Sequence, residues 1–401
     1  RAPRAMSDPL APRSLPLLTP ELPGTGGIIR LSEEDFRVEE LPLYPASGLG
    51  DHLYVTIEKI GRNTNEVSEE LAAALGAKGR EVGVAGLKDK RAVATQRMSV
   101  PMPVGSSAQS EAGVALAAAF REKALAVSGR GWRVLSAERH GNKLRTGHLA
   151  GNRFVVVIRG CVDDAHARAQ AVLEKLAPLG LMNLFGHQRF GQRGDNAALG
   201  ALILARDPRA GKASRDRFLR RFALSALQAE LFNRCLSARV RDGFFEAAIE
   251  GDVMKKRGAG HFVCTDPAGD VARMAAGEID PAGPLPGHAL FAAAGVALAR
   301  EEAVLAEAAI DPRTFAIGGG EMEGARRPYR IPLGNVAMEP LPENALRLSF
   351  SLPPGSFARA PIVPPQAARW RPGVESRRKR VGTPMALPAG VQPRGDLRVQ
   401  R

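Results

Sequence analysis

Asn152-Arg153-Phe154-Val155-Val156-Val157-Ile158 is apolar almost throughout and rich in β-branched residues. Such a run, without polar alternation, is the pattern of a strand covered by protein on both faces. It predicts the centre of a sheet, and the neighbouring segments fall into place around it. Upstream, Asp35-Phe36-Arg37-Val38-Glu39 alternates apolar and polar residues, as a half-buried strand does. His52-Leu53-Tyr54-Val55-Thr56-Ile57-Glu58 repeats the alternation, with Leu53, Val55 and Ile57 on one face. A helix start follows, Asn63 as cap with Glu66 three residues on, the spacing of a capping box. Val67, Leu71, Ala74 and Leu75 form the predicted apolar stripe, and Gly76 the stop. The strand-like Glu81-Val82-Gly83-Val84-Ala85-Gly86 leads into Leu87-Lys88-Asp89-Lys90-Arg91. Ala115 to Ala119 belongs to a helix or a loop. Downstream of the central run, a helix is predicted from about Asp164 to Leu179, capped by Asp163 or Asp164 and ended by Gly180. Strands and helices in this order predict an α+β fold around a mixed, mainly antiparallel sheet.

The texture changes after Gly180. Asn183 to Asn196 is rich in Gly, Arg and amides. A long amphipathic helix is predicted from about Asp216 to Arg239, with Phe218, Phe222, Leu224, Leu227, Leu231 and Leu236 on its buried side. Another covers about Leu298 to Ala309, and alternation returns at Leu346-Arg347-Leu348-Ser349-Phe350. These changes predict a flexible lead-in over 1–26, a first domain over 27–180, an inserted domain over 181–328, and a return to the first over 329–358. Residues 359–401 are rich in Pro, Arg and Gly without periodicity, so they are expected to be disordered.

Charge narrows the partner. The 401 residues carry a formal net charge of +14. The segment from Arg359 holds ten Lys or Arg against Glu375 and Asp396, which is +8 of that total. The remaining chain is only mildly basic, and the balance favours nucleic acid over a small metabolite. Three scattered cysteines, Cys161, Cys235 and Cys264, give neither a disulfide framework nor a zinc pair, and suit a cytoplasmic protein. No apolar run is long enough for a membrane-spanning helix. A Walker A loop, a dinucleotide fingerprint around Gly318-Gly319-Gly320, metal-ligand histidine spacing and a G-x-S-x-G elbow are all missing, so neither a nucleotide cofactor nor a metal is expected.

Three places can carry chemistry. In Gly86-Leu87-Lys88-Asp89-Lys90-Arg91 one acid sits among three cations, which favour its ionised form and suit a nucleophile or base. The same residues also make an ordinary solvated turn. In Gly151-Asn152-Arg153-Phe154 the amide can bond a substrate edge, and the ring can either stack on a base or fill the core. Asn183-Leu184-Phe185-Gly186-His187-Gln188-Arg189-Phe190-Gly191 can cradle phosphates with arginine help, or bridge two elements.

Taken together, Glu34-Asp35-Phe36-x-Val38-x-Glu40, Gly86-Leu87-Lys88-Asp89, Gly151-Asn152-x-Phe154, Asn183-x-Phe185-Gly186-x-Gln188-Arg189-Phe190-Gly191 and Ser349-Phe350-Ser351-Leu352-Pro353-Pro354-Gly355-Ser356-Phe357 resemble the TruD family of tRNA pseudouridine synthases. The likeness runs from about Gly27 to Ala358. It implies a pseudouridine-synthase catalytic domain with an inserted α/β TruD-specific domain. It also implies a tRNA partner, and isomerisation of uridine to pseudouridine at position thirteen, in the dihydrouridine arm. Through it the catalytic aspartate falls on Asp89, the active-site amide and ring on Asn152 and Phe154, and a further aromatic on Phe36. Lys88 and Arg189 join these as expected substrate-binding residues, Lys88 in an electrostatic role only. A catalytically inactive RNA-binding protein and an RNA hydrolase are the rival readings. The family's C-terminal helix has no counterpart here, because Pro361, Pro364 and Pro365 forbid it. That end reads equally as a basic tail that grips RNA or as a shifted reading frame.

Overall fold

The computed structural model describes residues 10, 15–106, 110–191, 193–258, 260–356 and 369–370. In chain order they form β1 (Gly26–Ile29), β2 (Phe36–Pro42), β3 (His52–Ile60), α1 (Thr64–Leu75), β4 (Gly83–Val84), β5 (Val93–Pro101) and α2 (Glu111–Leu125). Next come β6 (Ser128–Gly129), β7 (Trp132–His140), β8 (Leu149–Cys161), α3 (Ala165–Leu179), β9 (Leu181–Met182), α4 (Asn196–Leu204) and α5 (Arg217–Arg241). After these run β10 (Val253–Lys256), β11 (His261–Val263), α6 (Pro267–Ala275), β12 (Ile279–Leu285), α7 (Gly295–Glu307) and β13 (Ala325–Pro328). The last are β14 (Arg330–Ile331), β15 (Gly334–Leu341), β16 (Ala345–Leu352) and β17 (Arg369–Trp370).

The large sheet has the order β15-β16-β8-β2-β5-β3-β7-β6, with β1 beside β8, β4 beside β5 and β17 beside β1. Among the described strands only β2–β5 and β1–β17 are parallel, so the sheet is mixed and mainly antiparallel. β8 is central, as its composition predicts. It pairs with β16 along one edge and with β2 along the other, and Val156, Val157 and Ile158 are buried. One face is covered in two parts. Leu53, Val55 and Ile57 pack under α1 and α2, while Phe36, Val38, Phe154 and Val156 pack with α3 and β16.

Local signals explain α1 well. The Glu66 carboxylate accepts from the Asn63 backbone N–H at 3.3 Å and its amide at 2.9 Å, and Gly76 ends the helix at φ 78°. Val67, Leu71 and Leu75 are buried as predicted, each contributing about 1.5–3 kcal/mol. Ala72, not Ala74, completes the stripe.

Other expectations need correction. The Glu81–Gly86 strand shrinks to Gly83–Val84, because residues 79–81 turn in a 3₁₀ helix. Ala115–Ala119 is helical within α2. Phe218 is 75% exposed and Phe222 only half-buried, because the first turn of α5 lies outside the packed region that buries Leu224, Leu227, Leu231 and Leu236. In the expected lead-in, Leu18 and Leu22 pack on the core behind β8, and the Thr25 carbonyl accepts from Val162 N–H. Apolar anchors order residues 15–26 of it without periodicity, and most of the rest lies outside the described residues. Most of 359–401 lies outside the described residues, but Arg369–Trp370 add a short strand to the open edge of β1.

Residues 183–328 build a second sheet, ordered β11-β10-β12-β13, and a second core around α5. The chain leaves and re-enters the first part through β9 and β14, which pair with each other, Met182 opposite Arg330 and Leu181 opposite Ile331. Gly180 permits this crossing. Its φ is 73°, and a Cβ there would lie 2.6 Å from the Ile331 carbonyl oxygen.

Candidate active site

Register decides which side chains meet. Lys59 of β3 stands opposite Ala94 of β5, Ala94 beside Val38 of β2, Val38 opposite Phe154 of β8, and Phe154 opposite Phe350 of β16. Two residues further along the same face, Glu40 stands opposite Asn152. A single row therefore carries Lys59 at one end, a small alanine, and the apolar rings at the other. The segment between β4 and β5, which contains Asp89, is pinned to this face.

The pinning uses buried polar groups. The Lys59 ammonium is wholly buried and donates to three backbone oxygens: Arg62 at 2.8 Å, Lys88 at 3.3 Å and Asp89 at 2.7 Å. Burial pushes its pKa down to about 8, against the opposing pull of the Asp89 carboxylate. Thr64, the first residue of α1, accepts from the Lys88 N–H at 3.0 Å and donates to Gln96 Oε1 at 2.9 Å. The Lys88 ammonium lies 2.6 Å from Glu40 Oε2, both side chains almost fully buried, and Glu40 Oε1 accepts from the Arg97 N–H at 3.1 Å.

Asp89 itself is the accessible member. Its side chain is 44% exposed, and Oδ2 accepts from Arg30 Nη2 at 2.9 Å. Arg30 follows β1 at φ 60°, a left-handed conformation unusual for a non-glycine residue. Its guanidinium carbon lies over Phe36, 3.6 Å from the ring centre. The strained backbone persists because the ring and the carboxylate together fix the side chain.

The expected site residues separate into groups. Asp89, Lys88, Asn152, Phe36 and Phe154 lie on the same sheet face or its covering segment. Lys88 is turned inward onto Glu40, so it holds the loop and does not present a charge to a ligand. The cation that touches Asp89 is Arg30, not Lys88, Lys90 or Arg91. Phe36 and Phe154 are 3% and 6% exposed. Phe154 stacks on Phe350 with ring centres 5.5 Å apart and tilts against Phe36 at 6.1 Å, so both fill the core and neither is an open platform. Asn152 is half-buried, and its Oδ1 has no hydrogen-bond partner among the described residues. Gly151 before it is required by packing, since a Cβ would meet the Leu352 oxygen at 2.4 Å. Arg189 belongs elsewhere: it bonds Ser225 Oγ and lies over Phe185.

Sequence reasoning missed Arg30, Lys59, Thr64 and Gln96. Lys59 had a signal, because it continues the buried Leu53, Val55, Ile57 alternation where an apolar residue would be expected. Arg30 had none, being brought to Asp89 across 59 residues by the pairing of β1 with β8. Among the described residues no three His, Cys, Asp or Glu converge as metal ligands, and no helix is long and apolar enough to cross a membrane.

The sequence and the mixed sheet match a class of RNA-modifying enzyme. The family model described as tRNA pseudouridine synthase D (TruD) matches residues 15–216 and 212–360. A tRNA pseudouridine synthase D from Anaeromyxobacter sp. (strain Fw109-5) is 49% identical over 346 residues, covering 86% of this chain and 93% of the relative. Its counterpart from Thermus thermophilus is 41% identical over 350 residues, covering 86% and 90%. The crystal structure of TruD from Methanosarcina mazei superposes with a TM-score of 0.68 at 20% identity, covering 88% of this chain and 96% of that one, and supports the fold. The chain belongs to the TruD family of tRNA pseudouridine synthases, which are isomerases.

Proposed function

We propose that this protein isomerises uridine to pseudouridine in tRNA, at position thirteen in the dihydrouridine arm, with Asp89 as the essential carboxylate. The observation that carries the reading is Asp89 itself. It is the exposed acid of the Gly-Leu-Lys-Asp motif, oriented by Arg30 and held by its backbone to Lys59.

The reaction breaks the N1–C1′ bond, turns the base, and joins C5 to C1′. The proton on C5 is lost and one is gained at N1, so the product is an isomer and no external oxidant or cofactor is required. Asp89 can attack the sugar or the base, or remove a sugar proton; each needs an ionised, accessible oxygen. Arg30 leaves Oδ1 of Asp89 available while it holds Oδ2. The target base must leave its stack to reach this oxygen. Asn152 Oδ1 is buried and unpartnered among the described residues, so it can accept from a uracil N–H only once the half-buried side chain turns outward. Phe36 and Phe154 support this face from below, Lys88 fixes the Asp89 segment through Glu40, and Arg189 binds RNA away from Asp89.

In this reading 27–180 and 329–358 form the catalytic domain and 181–328 the inserted TruD domain, working on tRNA in the cytoplasm. The test is an unmodified tRNA transcript incubated with wild-type protein and with Asp89→Asn, followed by mapping of pseudouridine. Wild-type product at one uridine of the dihydrouridine arm, absent with Asp89→Asn, is the expected result. Undiminished product from the variant would remove Asp89 from the mechanism.

A further inference from the structure

Most arginines buried around the second sheet are neutralised by a carboxylate: Arg239 by Asp252, Arg326 by Glu301 and Arg330 by Asp280. Arg189 and Arg327 are not. Neither has an acidic partner among the described residues, yet both side chains are only partly exposed and both address the ring of Phe185. Their guanidinium carbons lie 5.7 Å and 4.2 Å from its centre. Arg327 donates through Nε and Nη2 to the backbone and side-chain oxygens of Asn183, and Arg189 through Nη2 to Ser225. Nη1 of each has no protein acceptor among the described residues, and neither Nη1 is among the buried unsatisfied atoms. These donors therefore face solvent.

Holding two like charges near one ring is unfavourable. Burial lowers the pKa of both, and with the charge of Arg189 it brings Arg327 down to about 10. A bound anion reverses that cost, and the planar guanidinium with spare N–H groups is the side chain best matched to phosphate oxygens. The place is informative as well. Asn183 follows β9 and Arg327 lies on β13 just before β14, where the chain passes between its two sheets.

We propose that Arg189 and Arg327 form one anion site that takes a backbone phosphate of the RNA substrate. The proposal rests on the reading that the chain acts on tRNA, and it adds Arg327, which the sequence motifs do not single out. A phosphate held here fixes the RNA against both sheets at once, independently of the base presented to Asp89.

The experiment measures binding of an unmodified tRNA transcript to the full chain from about 0.05 to about 0.4 M salt, for wild type, Arg189→Gln, Arg327→Gln and the double variant. Loss of one phosphate contact predicts about eightfold weaker binding near 0.1 M salt and a log–log salt slope shallower by about 0.9. The double variant should lose little more than either single, because the same phosphate is lost once. Arg327→Lys, which keeps the charge, should keep the slope. Melting temperatures guard against misfolding. Weaker binding that follows the melting temperature at unchanged slope, or wild-type binding in both glutamine variants, overturns the site and assigns these arginines to holding the Asn183 loop. Wild-type tRNA binding without pseudouridine formation overturns the function but leaves the phosphate site standing. Salt-independent or absent wild-type binding overturns both.

Discussion

The Lys59 ammonium donates to the backbone oxygen of Asp89 at 2.7 Å, not to its carboxylate. The lysine thus sets where the aspartate stands without neutralising it, and leaves the carboxyl group to Arg30. With a pKa of about 8, Lys59 loses its proton within an accessible range. A neutral amine has two donors for three carbonyls, so pseudouridine formation should fall on the alkaline side with an apparent pKa near 8. In Lys59→Met activity should drop about 10²-fold, as a misplaced catalytic group would cause, and this limb should vanish. Stability moves the other way. From about pH 8 to 10 the unfolded chain keeps a proton on Lys59 that the folded chain has released, so this residue makes stability rise with pH. Denaturant melts across that window should show the rise in wild type and a flatter curve in Lys59→Met.

Arg30 touches both the Phe36 ring and the Asp89 carboxylate. Arg30→Leu should lower single-turnover pseudouridine formation by about 10²-fold. Arg30→Lys should recover only part of that, because an ammonium supplies charge without the flat face. A wild-type rate in Arg30→Lys would show that stacking contributes nothing, and a rate equal to that of Arg30→Leu that charge alone contributes nothing.

The buried pair of Lys88 and Glu40 gives a stability prediction. Glu40→Ala leaves an ammonium buried without its partner and should cost about 3–5 kcal/mol in urea unfolding. Lys88→Met combined with Glu40→Leu should cost less than Glu40→Ala alone. A double variant worse than Glu40→Ala would indicate that the pair is not the dominant contact of either residue.

Phe154 separates a structural role from a substrate role. Its ring is packed between Phe36 and Phe350, so Phe154→Ala should lose about 3–5 kcal/mol of stability. Phe154→Leu should stay folded, with tRNA affinity close to wild type. A large loss of affinity in Phe154→Leu at unchanged melting temperature would place the ring against the nucleotide.

The sequence made the frame legible and left the clamp hidden, for a physical reason. Strand β8, helix α1 with its Asn63–Glu66 cap, and the α3 stop at Gly180 are local events, encoded within a few residues of one another. Asp89 stood out through its motif. Its partners did not, because Arg30 and Lys59 reach it through strand pairing, which no short window records. Phe218 misled for the opposite reason. Helical periodicity predicts a buried face only where something covers it, and the first turn of α5 projects past its neighbours.

The narrow ribbon of β9 and β14 has a bearing on how such a molecule diversifies. Entry and exit strands lie side by side, so everything from Asn183 to Tyr329 could be exchanged for a relative's version through a single seam, with Met182 and Arg330 as its two edges. Change in the part beyond this seam can then accumulate while the arrangement around Asp89 stays as it is.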